Sequence, residues 1–290
     1  MDHLATASED KSLYRRLRAR LSPLRTLATR LWLRVKYPLR VIRIFPYVWK
    51  TELAEIKAFH QARAQHAHEY TDTTENPLIS IIIPTYNRAE LLMTRAVPSI
   101  LAQTYPYFEV LIIGDHCTDD TEKRIADLND PRFTFYNLPE RPLYPPDKRK
   151  IWLLGGYKAM NTGRQMAQGK WLASLDDDDI WLPEHLEKLL RFAQMGNYEF
   201  ASSQSLMQLP NGQTQVKGKP PALSLRDKTH CTYFSRSYLK SINYEYHAWR
   251  AERCIDKQIL GKYRRAGVRA GFLEEITARY MLNNQGTRQV

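Results

Sequence analysis

Four adjacent aspartates, Asp176–Asp179, follow the apolar run 171–175 and carry the strongest chemical signal in the chain. Adjacent carboxylates repel one another, and capping the helix that Pro183 opens requires only one of them. A hard divalent cation removes this conflict, because Mg²⁺ or Mn²⁺ binds one or two carboxylates together with phosphate oxygens of a substrate. The run therefore favours a metal site for a diphosphate. In the ordinary alternative, Asp179 caps the helix and the other three carboxylates are solvated.

Two further polar segments follow apolar, β-branched runs that are typical of buried strands. One segment, Pro84–Arg88, offers the aromatic ring of Tyr86. The other, residues 114–121, offers Asp115, a carboxylate that can accept a hydrogen bond from a nucleobase N–H. Both segments have an ordinary alternative as strand-to-helix turns, with Asp119 as a helix N-cap.

The runs around these segments predict the elements that position them. Four short strands alternate with three stretches of helical period. The predicted strands cover residues 78–83, 108–113, 133–136 and 171–175, and the predicted helices cover residues 90–103, 121–128 and 156–168. Alternation of this kind predicts a parallel sheet with helices on both faces, in which ligands bind at the carboxyl ends of the strands. We therefore expect the three polar segments to meet at one edge of the sheet.

Three ordered motifs then resemble a known family. The runs are ISIIIPTYNR, IIGDHCTDDT and LDDDDIWLP. Together they are similar to the inverting family 2 glycosyltransferases of the GT-A fold, over residues 76 to about 280. The resemblance implies an α/β fold with a mixed, mainly parallel sheet. It also implies a catalytic domain over residues 76–290, with a nucleotide-sugar half (76–183) and an acceptor half (184–290), after an N-terminal extension over residues 1–75.

The resemblance also implies roles for individual residues. The nucleotide-sugar site would include a nucleobase pocket from the first motif, the base-binding Asp115, and basic residues for the diphosphate. The expected set is Pro84, Thr85, Tyr86, Asn87, Arg88, Asp115, Lys150, Lys158, Asp176 and Asp177. Asp178, together with Asp176, would bind the divalent metal, Mg²⁺ or Mn²⁺. This chain has Gly114 where the family often has a second aspartate.

A weaker match lies near the C-terminus. Asp256 precedes an apolar helical stretch and resembles the family's general base, with Glu252 one helical turn earlier as the reserve candidate. The family usually has Glu-Asp or Asp-Trp at this point, so Ile255-Asp256 is a departure from its pattern.

The motifs together predict transfer of a sugar from a nucleotide-diphosphate sugar to a sugar or lipid-linked acceptor, in the synthesis of a cell-surface polysaccharide or glycolipid. Two other classes stay open: a catalytically silent, membrane-associated scaffold and a metal-dependent nucleotidyltransferase. The latter usually has a glycine-rich phosphate loop after its first strand, and Pro84–Arg88 contains no glycine. A freed nucleoside diphosphate, pyrophosphate, or neither would distinguish the three classes.

Residues 11–50 carry twelve Lys or Arg and no Asp or Glu, so they account for the whole formal net charge of +12. Their helical period and interleaved aromatic residues predict a basic amphipathic tail that binds an anionic membrane surface. The alternative is a helix packed on its own protein. No nucleic acid partner is expected, because no recognised binding module accompanies the charge. Three cysteines without C-x-x-C spacing, and the lack of a signal peptide or membrane span, predict a cytoplasmic protein on the inner face of the membrane.

Overall fold

The computed structural model describes residues 50–70, 76–209, 211–225, 227 and 229–281. The predicted basic tail, residues 11–50, lies outside these ranges except for Lys50. Within them, the chain forms one sheet of nine strands. The strands are β1 (Ile79–Thr85), β2 (Phe108–Gly114), β3 (Phe133–Asn137), β4 (Trp171–Ser174), β5 (Ile180–Trp181), β6 (Phe200–Gln208), β7 (Thr214–Lys217), β8 (Phe234–Arg236) and β9 (Ala270–Met281).

Strand order is β3-β2-β1-β4-β8-β6-β9-β5, and β7 pairs with β6. The first four strands of this order are parallel, as the alternation of strands and helices predicts. The next pairs, β4 with β8 and β8 with β6, are antiparallel, whereas β6 and β9 are parallel. In the parallel register Thr85 lies beside Gly114, so the chain leaves β1 and β2 at the same edge.

Helices cover both faces of the sheet. The α-helices are α1 (residues 50–65), α2 (Ala89–Leu91), α3 (Val97–Leu101), α4 (Thr121–Ala126), α5 (Lys148–Leu154), α6 (Tyr157–Met166), α7 (His185–Met195) and α8 (Ile255–Arg265). A π-helical stretch, Leu92–Ala96, joins α2 to α3. Helix α5 was not predicted, because it lies at the end of a proline-rich segment that indicates a loop.

The alternating strand residues supply two separate cores. On one face, Ile81 and Ile83 of β1 pack with the side chains of α3 and α7. On the other face, Ile82 packs with α6, α8 and Phe59 of α1. A strand buried on both sides needs apolar residues at consecutive positions, which explains the run Ile81–Ile83.

Helix α1 is part of this body, which begins at Lys50. Phe59 is fully buried, and two acidic residues of α1 face two basic residues of α8. Glu55 Oε2 accepts a hydrogen bond from Lys262 Nζ at 2.7 Å, and Glu52 forms an ion pair with Arg265. The described sheet domain thus begins before residue 76, the boundary that the motifs predict.

A third ion pair fixes the other end of α1. Arg63 donates two hydrogen bonds to Glu199, at 2.7 and 2.6 Å, and Glu199 is fully buried. Burial alone would raise the pKa of Glu199, but the hydrogen bonds from Arg63, the Arg269 backbone N–H and Tyr238 hold it below its ordinary value. Glu199 is therefore a buried anion whose partner lies on α1.

Cys117, Cys231 and Cys254 are all free thiols. In the described part of the chain, no helix combines the length and apolar character that crossing a bilayer requires.

The buried pair between α1 and α8 generates a stability prediction. Lys262→Met should lower the free energy of unfolding by about 3 kcal/mol, because it leaves the Glu55 carboxylate without its cation in a largely dry site. Urea unfolding measures the change. Arg264→Met, at an exposed position of the same helix, is the matched control and should change stability by no more than about 0.5 kcal/mol. Equal unfolding midpoints for the two variants would contradict the role of the pair.

Candidate active site

Asp115 follows β2 and lies at the edge where the parallel strands end. Its backbone N–H donates to the Thr85 carbonyl at 2.8 Å, which joins the ends of β1 and β2. The side chain is buried, and Oδ2 accepts a hydrogen bond from the Tyr144 hydroxyl at 2.6 Å. Oδ1 is also buried but has no hydrogen-bond partner within the described residues. Burial raises the pKa of Asp115, and the Tyr144 hydrogen bond and the charge of Arg141 oppose that rise.

An aromatic and cationic surface lies next to this carboxylate. The Arg141 guanidinium carbon stands 3.7 Å from the ring centroid of Tyr86, and its Nη1 donates to the Tyr86 hydroxyl at 2.9 Å. Sequence reasoning identified Tyr86 but missed Arg141 and Tyr144. Both belong to the long segment after β3, whose path over the site could not be inferred from spacing alone.

The four aspartates after β4 divide into two pairs by exposure. The side chains of Asp176 and Asp178 are 33% and 17% exposed, whereas that of Asp177 is 4% exposed and Asp179 is fully buried. The alternation of the chain therefore presents the first and third carboxylates toward solvent and directs the second and fourth into the protein. This separates two carboxylates that a ligand can reach from two that the fold uses.

Arg88, from the first motif, joins both pairs. Its Nη1 lies 2.7 Å from Asp177 Oδ1, and its Nη2 lies 2.5 Å from Asp178 Oδ2. The other oxygen of Asp177 accepts a hydrogen bond from the Thr85 hydroxyl at 2.8 Å. Burial raises the pKa of Asp177, and the Arg88 charge opposes that rise. Both oxygens of Asp177 are thus engaged by the protein.

Asp179 is a structural residue. Its Oδ1 accepts a hydrogen bond from the Met281 backbone N–H at 2.9 Å, which fixes the last residue of β9 beside the aspartate loop. Helix α7 begins after Glu184, so the alternative in which Asp179 caps that helix is wrong. Burial raises the pKa of Asp179 well above its ordinary value.

Asp176 contacts a histidine that sequence reasoning did not single out. His230 Nδ1 lies 3.0 Å from Asp176 Oδ1, and its Nε2 lies 3.0 Å from the Tyr244 hydroxyl. Burial lowers the pKa of His230, but the charges of Asp176 and Asp256 raise it to about 9. The imidazole therefore lies within electrostatic reach of two predicted site carboxylates.

Asp256 stands in the first turn of α8 and is partly buried. Burial raises its pKa, the charge of His230 lowers it, and the charge of Asp176 raises it. The reserve candidate, Glu252, is exposed and adopts a left-handed conformation, with φ of 53°, in the turn before α8. Of the two, Asp256 shares an electrostatic environment with the aspartate loop.

The other predicted donor-site residues have different surroundings. Asn87 acts as a clamp, because its Oδ1 accepts from the Thr118 backbone N–H at 2.7 Å and connects the first two polar loops. Pro84 is partly buried at the end of β1. Lys158 is close enough to Asp115 to lower the pKa of that carboxyl. The Lys150 ammonium lies 5.3 Å from the ring centroid of Trp249.

Gly114, the departure from the family pattern, has a steric explanation. A Cβ atom at this position would lie 2.5 Å from Asn137 Oδ1 and 3.0 Å from Phe135 Cζ. The Asn137 side chain is needed there, because it accepts from the Cys117 N–H and donates to the Cys117 carbonyl, both at 2.8 Å. The turn that carries Asp115 is thus closed by Asn137, and only glycine leaves room for it.

A metal site was expected at Asp176 and Asp178. Across the described ranges, no group of three or more His, Cys, Asp or Glu side chains is arranged to hold a metal ion. Two partly exposed carboxylates from the protein are nevertheless the usual share of a magnesium or manganese site whose remaining ligands are water and substrate phosphate oxygens.

The model of Glycosyl transferase family 2 matches residues 80–242, which is more than half of the chain. This chain belongs to glycosyl transferase family 2.

Three of the curated relatives are bacterial proteins that are named as glycosyltransferases. Escherichia coli WcaA, a putative colanic acid biosynthesis glycosyl transferase, is 28% identical over 62% of this chain and 60% of the relative. Escherichia coli WfgD, a UDP-Glc:alpha-D-GlcNAc-diphosphoundecaprenol beta-1,3-glucosyltransferase, is 30% identical over 45% of this chain and 49% of the relative. Bacillus subtilis TuaG, a putative teichuronic acid biosynthesis glycosyltransferase, is 33% identical over 41% and 43%. The chain therefore spans only part of the length of the curated relatives it matches.

Two solved structures share the fold. S. aureus TarS in complex with UDP aligns with a TM-score of 0.54 at 20% identity, over 71% of this chain and 60% of TarS. The mannosyltransferase PcManGT from Pyrobaculum calidifontis, in complex with GDP-Man and Mn²⁺, aligns with a TM-score of 0.55 at 17% identity, over 82% and 70%. The predicted GT-A fold with a mixed, mainly parallel sheet is confirmed.

Proposed function

We propose that this protein is an inverting glycosyltransferase that moves a sugar from a nucleotide-diphosphate sugar to an acceptor hydroxyl, in the synthesis of a cell-surface polysaccharide or glycolipid. The observation that carries the proposal is the aspartate loop, where Asp176 and Asp178 are partly exposed, Asp178 is paired with Arg88, and Asp176 interacts electrostatically with Asp256. Relatives named for colanic acid, teichuronic acid and a diphosphoundecaprenol-linked sugar support the polymer assignment.

The donor would lie along the edge where β1, β2 and β4 end. Its nucleobase would contact Tyr86 and the free oxygen of Asp115, and its diphosphate would reach the aspartate loop. Arg88 is a fixed cation at that end, because buried Asp177 holds its guanidinium. Lys150 and Lys158 are the further cations in the predicted donor set.

The carboxylate ligands at the diphosphate end suit a hard cation. Asp176 and Asp178 would hold Mg²⁺ or Mn²⁺, and the structural neighbour that carries Mn²⁺ supports this assignment. The ion would supply positive charge to the leaving diphosphate, whose negative charge grows as the glycosidic bond breaks. Arg88 adds a permanent charge of the same sign beside Asp178, so leaving-group stabilisation is shared between the protein and the ion.

Asp256 would act as the general base. Inversion requires the acceptor oxygen to attack the anomeric carbon from the face opposite the diphosphate, with loss of the acceptor proton to a nearby carboxylate. Burial raises the pKa of Asp256 and so strengthens it as a base. The charge of His230 limits that rise.

The other two function classes receive less support. A nucleotidyltransferase would leave the family 2 match unexplained. A silent scaffold would not need the partly exposed carboxylates of Asp176 and Asp178 or the unpaired oxygen of Asp115. Incubation with nucleotide sugars and analysis of the products tests the choice. Nucleoside diphosphate is expected, whereas pyrophosphate or no product would contradict glycosyl transfer.

Asp115 also favours one donor base. Tyr144 occupies Oδ2, which leaves a single acceptor at Oδ1. Uracil has one N–H on its pairing edge, whereas guanine has two adjacent donors that need both oxygens of a carboxylate. We therefore propose a uridine diphosphate donor, although the structural neighbours include complexes with both UDP and GDP-Man.

The base preference is testable by calorimetry with Mn²⁺. UDP should bind at least tenfold more tightly than GDP, because an unpaired buried donor costs about 1–3 kcal/mol. Tyr144→Phe frees Oδ2 and should raise the affinity for GDP relative to UDP about fivefold or more. Tyr107→Phe, at a half-exposed tyrosine away from Asp115, is the control. Tighter binding of GDP by the wild-type protein would contradict the proposal.

The metal assignment predicts the behaviour of Asp178→Asn. The amide keeps the size of the side chain but loses the charge, so transfer should fall below about 1% of wild type and donor binding should no longer respond to Mn²⁺. Circular dichroism should show an intact fold. Asp127→Asn, at an exposed aspartate paired with Lys123, should keep full, chelator-sensitive activity. Chelator-sensitive turnover by Asp178→Asn would end the metal assignment.

The base assignment separates Asp256 from Glu252. Asp256→Asn should lower kcat by ~10²-fold or more and leave donor affinity near normal, because proton abstraction belongs to the transition state. Glu252→Gln is the matched carboxylate-to-amide control and should keep nearly normal kcat. Steady-state kinetics with a competent acceptor measures both. An inactive Glu252→Gln together with an active Asp256→Asn would transfer the role to Glu252.

We further propose that residues 11–50 hold the enzyme on the anionic cytoplasmic face of the membrane, near a lipid-linked acceptor. This proposal is supported by the twelve Lys or Arg residues of the segment, which are interleaved with aromatic residues. Since Glu52, Glu55 and Phe59 fix α1 to the body, the segment to remove is residues 1–49, which keeps α1 intact.

The truncated protein should keep donor binding but should no longer sediment with vesicles that contain an anionic lipid. Full-length protein should bind these vesicles less well as salt rises, because screening shortens the range of the attraction to ~8 Å at physiological ionic strength. Vesicles of neutral lipid are the control. Aggregation after truncation would favour a tail packed on the protein, and equal vesicle binding would end the membrane proposal.

A further inference from the structure

A line of hydrogen bonds runs from α6 to the aspartate loop and begins at Asn161, which is partly buried. Its side-chain Oδ1 accepts from the Tyr244 backbone N–H, and its Nδ2 donates to the Tyr244 carbonyl, both at 2.9 Å. The oxygen and the nitrogen of the Asn161 side-chain amide thus both bind the backbone of Tyr244. These two hydrogen bonds fix the position of the Tyr244 backbone.

The line continues through two side chains that are almost fully buried. Tyr244 and His230 are 5% and 6% exposed. The Tyr244 hydroxyl lies 3.0 Å from His230 Nε2, and His230 Nδ1 lies 3.0 Å from Asp176 Oδ1. A carboxylate can only accept, so Nδ1 carries the proton toward Asp176. The orientation of Asp176 is therefore tied, through His230 and Tyr244, to α6.

Arg164, one turn beyond Asn161 on α6, holds the same segment. Its guanidinium donates to the Ile242 carbonyl at 2.7 Å and to the Leu239 carbonyl at 2.6 Å, and its side chain is buried. Residues 239–244 are therefore fixed to α6 at several points. These contacts fix the backbone that carries Tyr244, and so they also restrict the position of its hydroxyl.

We infer that Asn161, Tyr244 and His230 are positioning residues for the donor: they hold Asp176, a partly exposed carboxylate, in the rotamer that binds the nucleotide diphosphate. The inference rests on the proposed function, because it requires a donor at Asp176. A carboxylate that is ordered before binding loses less side-chain entropy when the ligand arrives. Loss of the support should therefore weaken nucleotide binding and leave the fold intact.

Two tyrosines beside His230 allow a matched test. The ring centroid of Tyr244 lies 5.9 Å from that of His230 at 82°, and the ring centroid of Tyr233 lies 5.3 Å away at 76°. Both tyrosines are buried. The Tyr233 hydroxyl, however, has no hydrogen-bond partner among the described residues. Tyr244→Phe and Tyr233→Phe thus remove the same atom from similar surroundings, and only the first removal breaks the line to Asp176.

Calorimetric titration with UDP and with GDP, in the presence of Mn²⁺, measures the effect on the full-length protein. Tyr244→Phe should raise the Kd of the nucleotide that binds about tenfold. Tyr233→Phe should bind as the wild-type protein does. Thermal unfolding should show that both variants are folded.

A second pair of variants tests the contact with Asp176 directly. In asparagine the side-chain nitrogen is separated from Cα by the same bonds as Nδ1 of histidine. His230→Asn should therefore keep a hydrogen-bond donor toward Asp176, and its Kd for the nucleotide should lie within about threefold of the wild-type value. His230→Ala should raise that Kd about tenfold. This rescue would not follow from a purely structural role, and it decides the question if Tyr244→Phe fails to fold.

The outcomes separate this inference from the proposed function. A wild-type protein that binds neither nucleotide overturns the proposed function, and the inference falls with it. Normal binding by the wild-type protein and equally tight binding by Tyr244→Phe overturn the positioning role alone. Equal losses in His230→Asn and His230→Ala also overturn it.

Discussion

The whole site depends on how four adjacent carboxylates are kept together at the end of β4. Burying a charge without a partner is strongly unfavourable, and neighbouring anions add repulsion to that penalty. Each aspartate therefore has a partner: His230 faces Asp176, Arg88 bridges Asp177 and Asp178, and the Met281 N–H binds Asp179. These partners come from the loop after β1, the end of β9 and the 3-10 helix His230–Thr232. The contacts that stabilise the four carboxylates thus fix the relative positions of segments that are far apart in the chain.

Helix α6 connects the parallel strands of the sheet to the segment that precedes α8. Its Gly163 lies so close to the sheet that a Cβ atom would stand 2.6 Å from Ile82 Cγ2. Because the helix sits this close, Asn161 and Arg164 reach the segment that precedes α8. Asn161 thus binds the backbone of Tyr244, and Gly163 allows the close packing of α6 on the sheet.

The parallel half of the fold could be predicted because its signals are local. Runs such as Ile81–Ile83 indicate strands buried on both faces, and the strand-helix alternation then determines where the loops meet. The antiparallel half could not, because β5, β8 and β9 pair across long separations and carry no comparable run. Helix α1 was assigned to the tail, since its ion pairs to Lys262 and Arg265 lie about two hundred residues away in sequence. Of the site, the motif residues could be predicted, whereas Arg141, Tyr144 and His230 could not, because their relevance comes only from tertiary contacts.

The surroundings of Asp115 show how the neighbouring residues accommodate one departure from a family pattern. With glycine at position 114, the turn after β2 is closed by Asn137, and Asp115 is the one aspartate where the family often has two. Tyr144 then takes one oxygen of that carboxylate, and the long segment after β3 supplies both Tyr144 and Arg141. Under the proposed function, donor specificity would therefore depend on a segment that lies outside the three recognisable motifs.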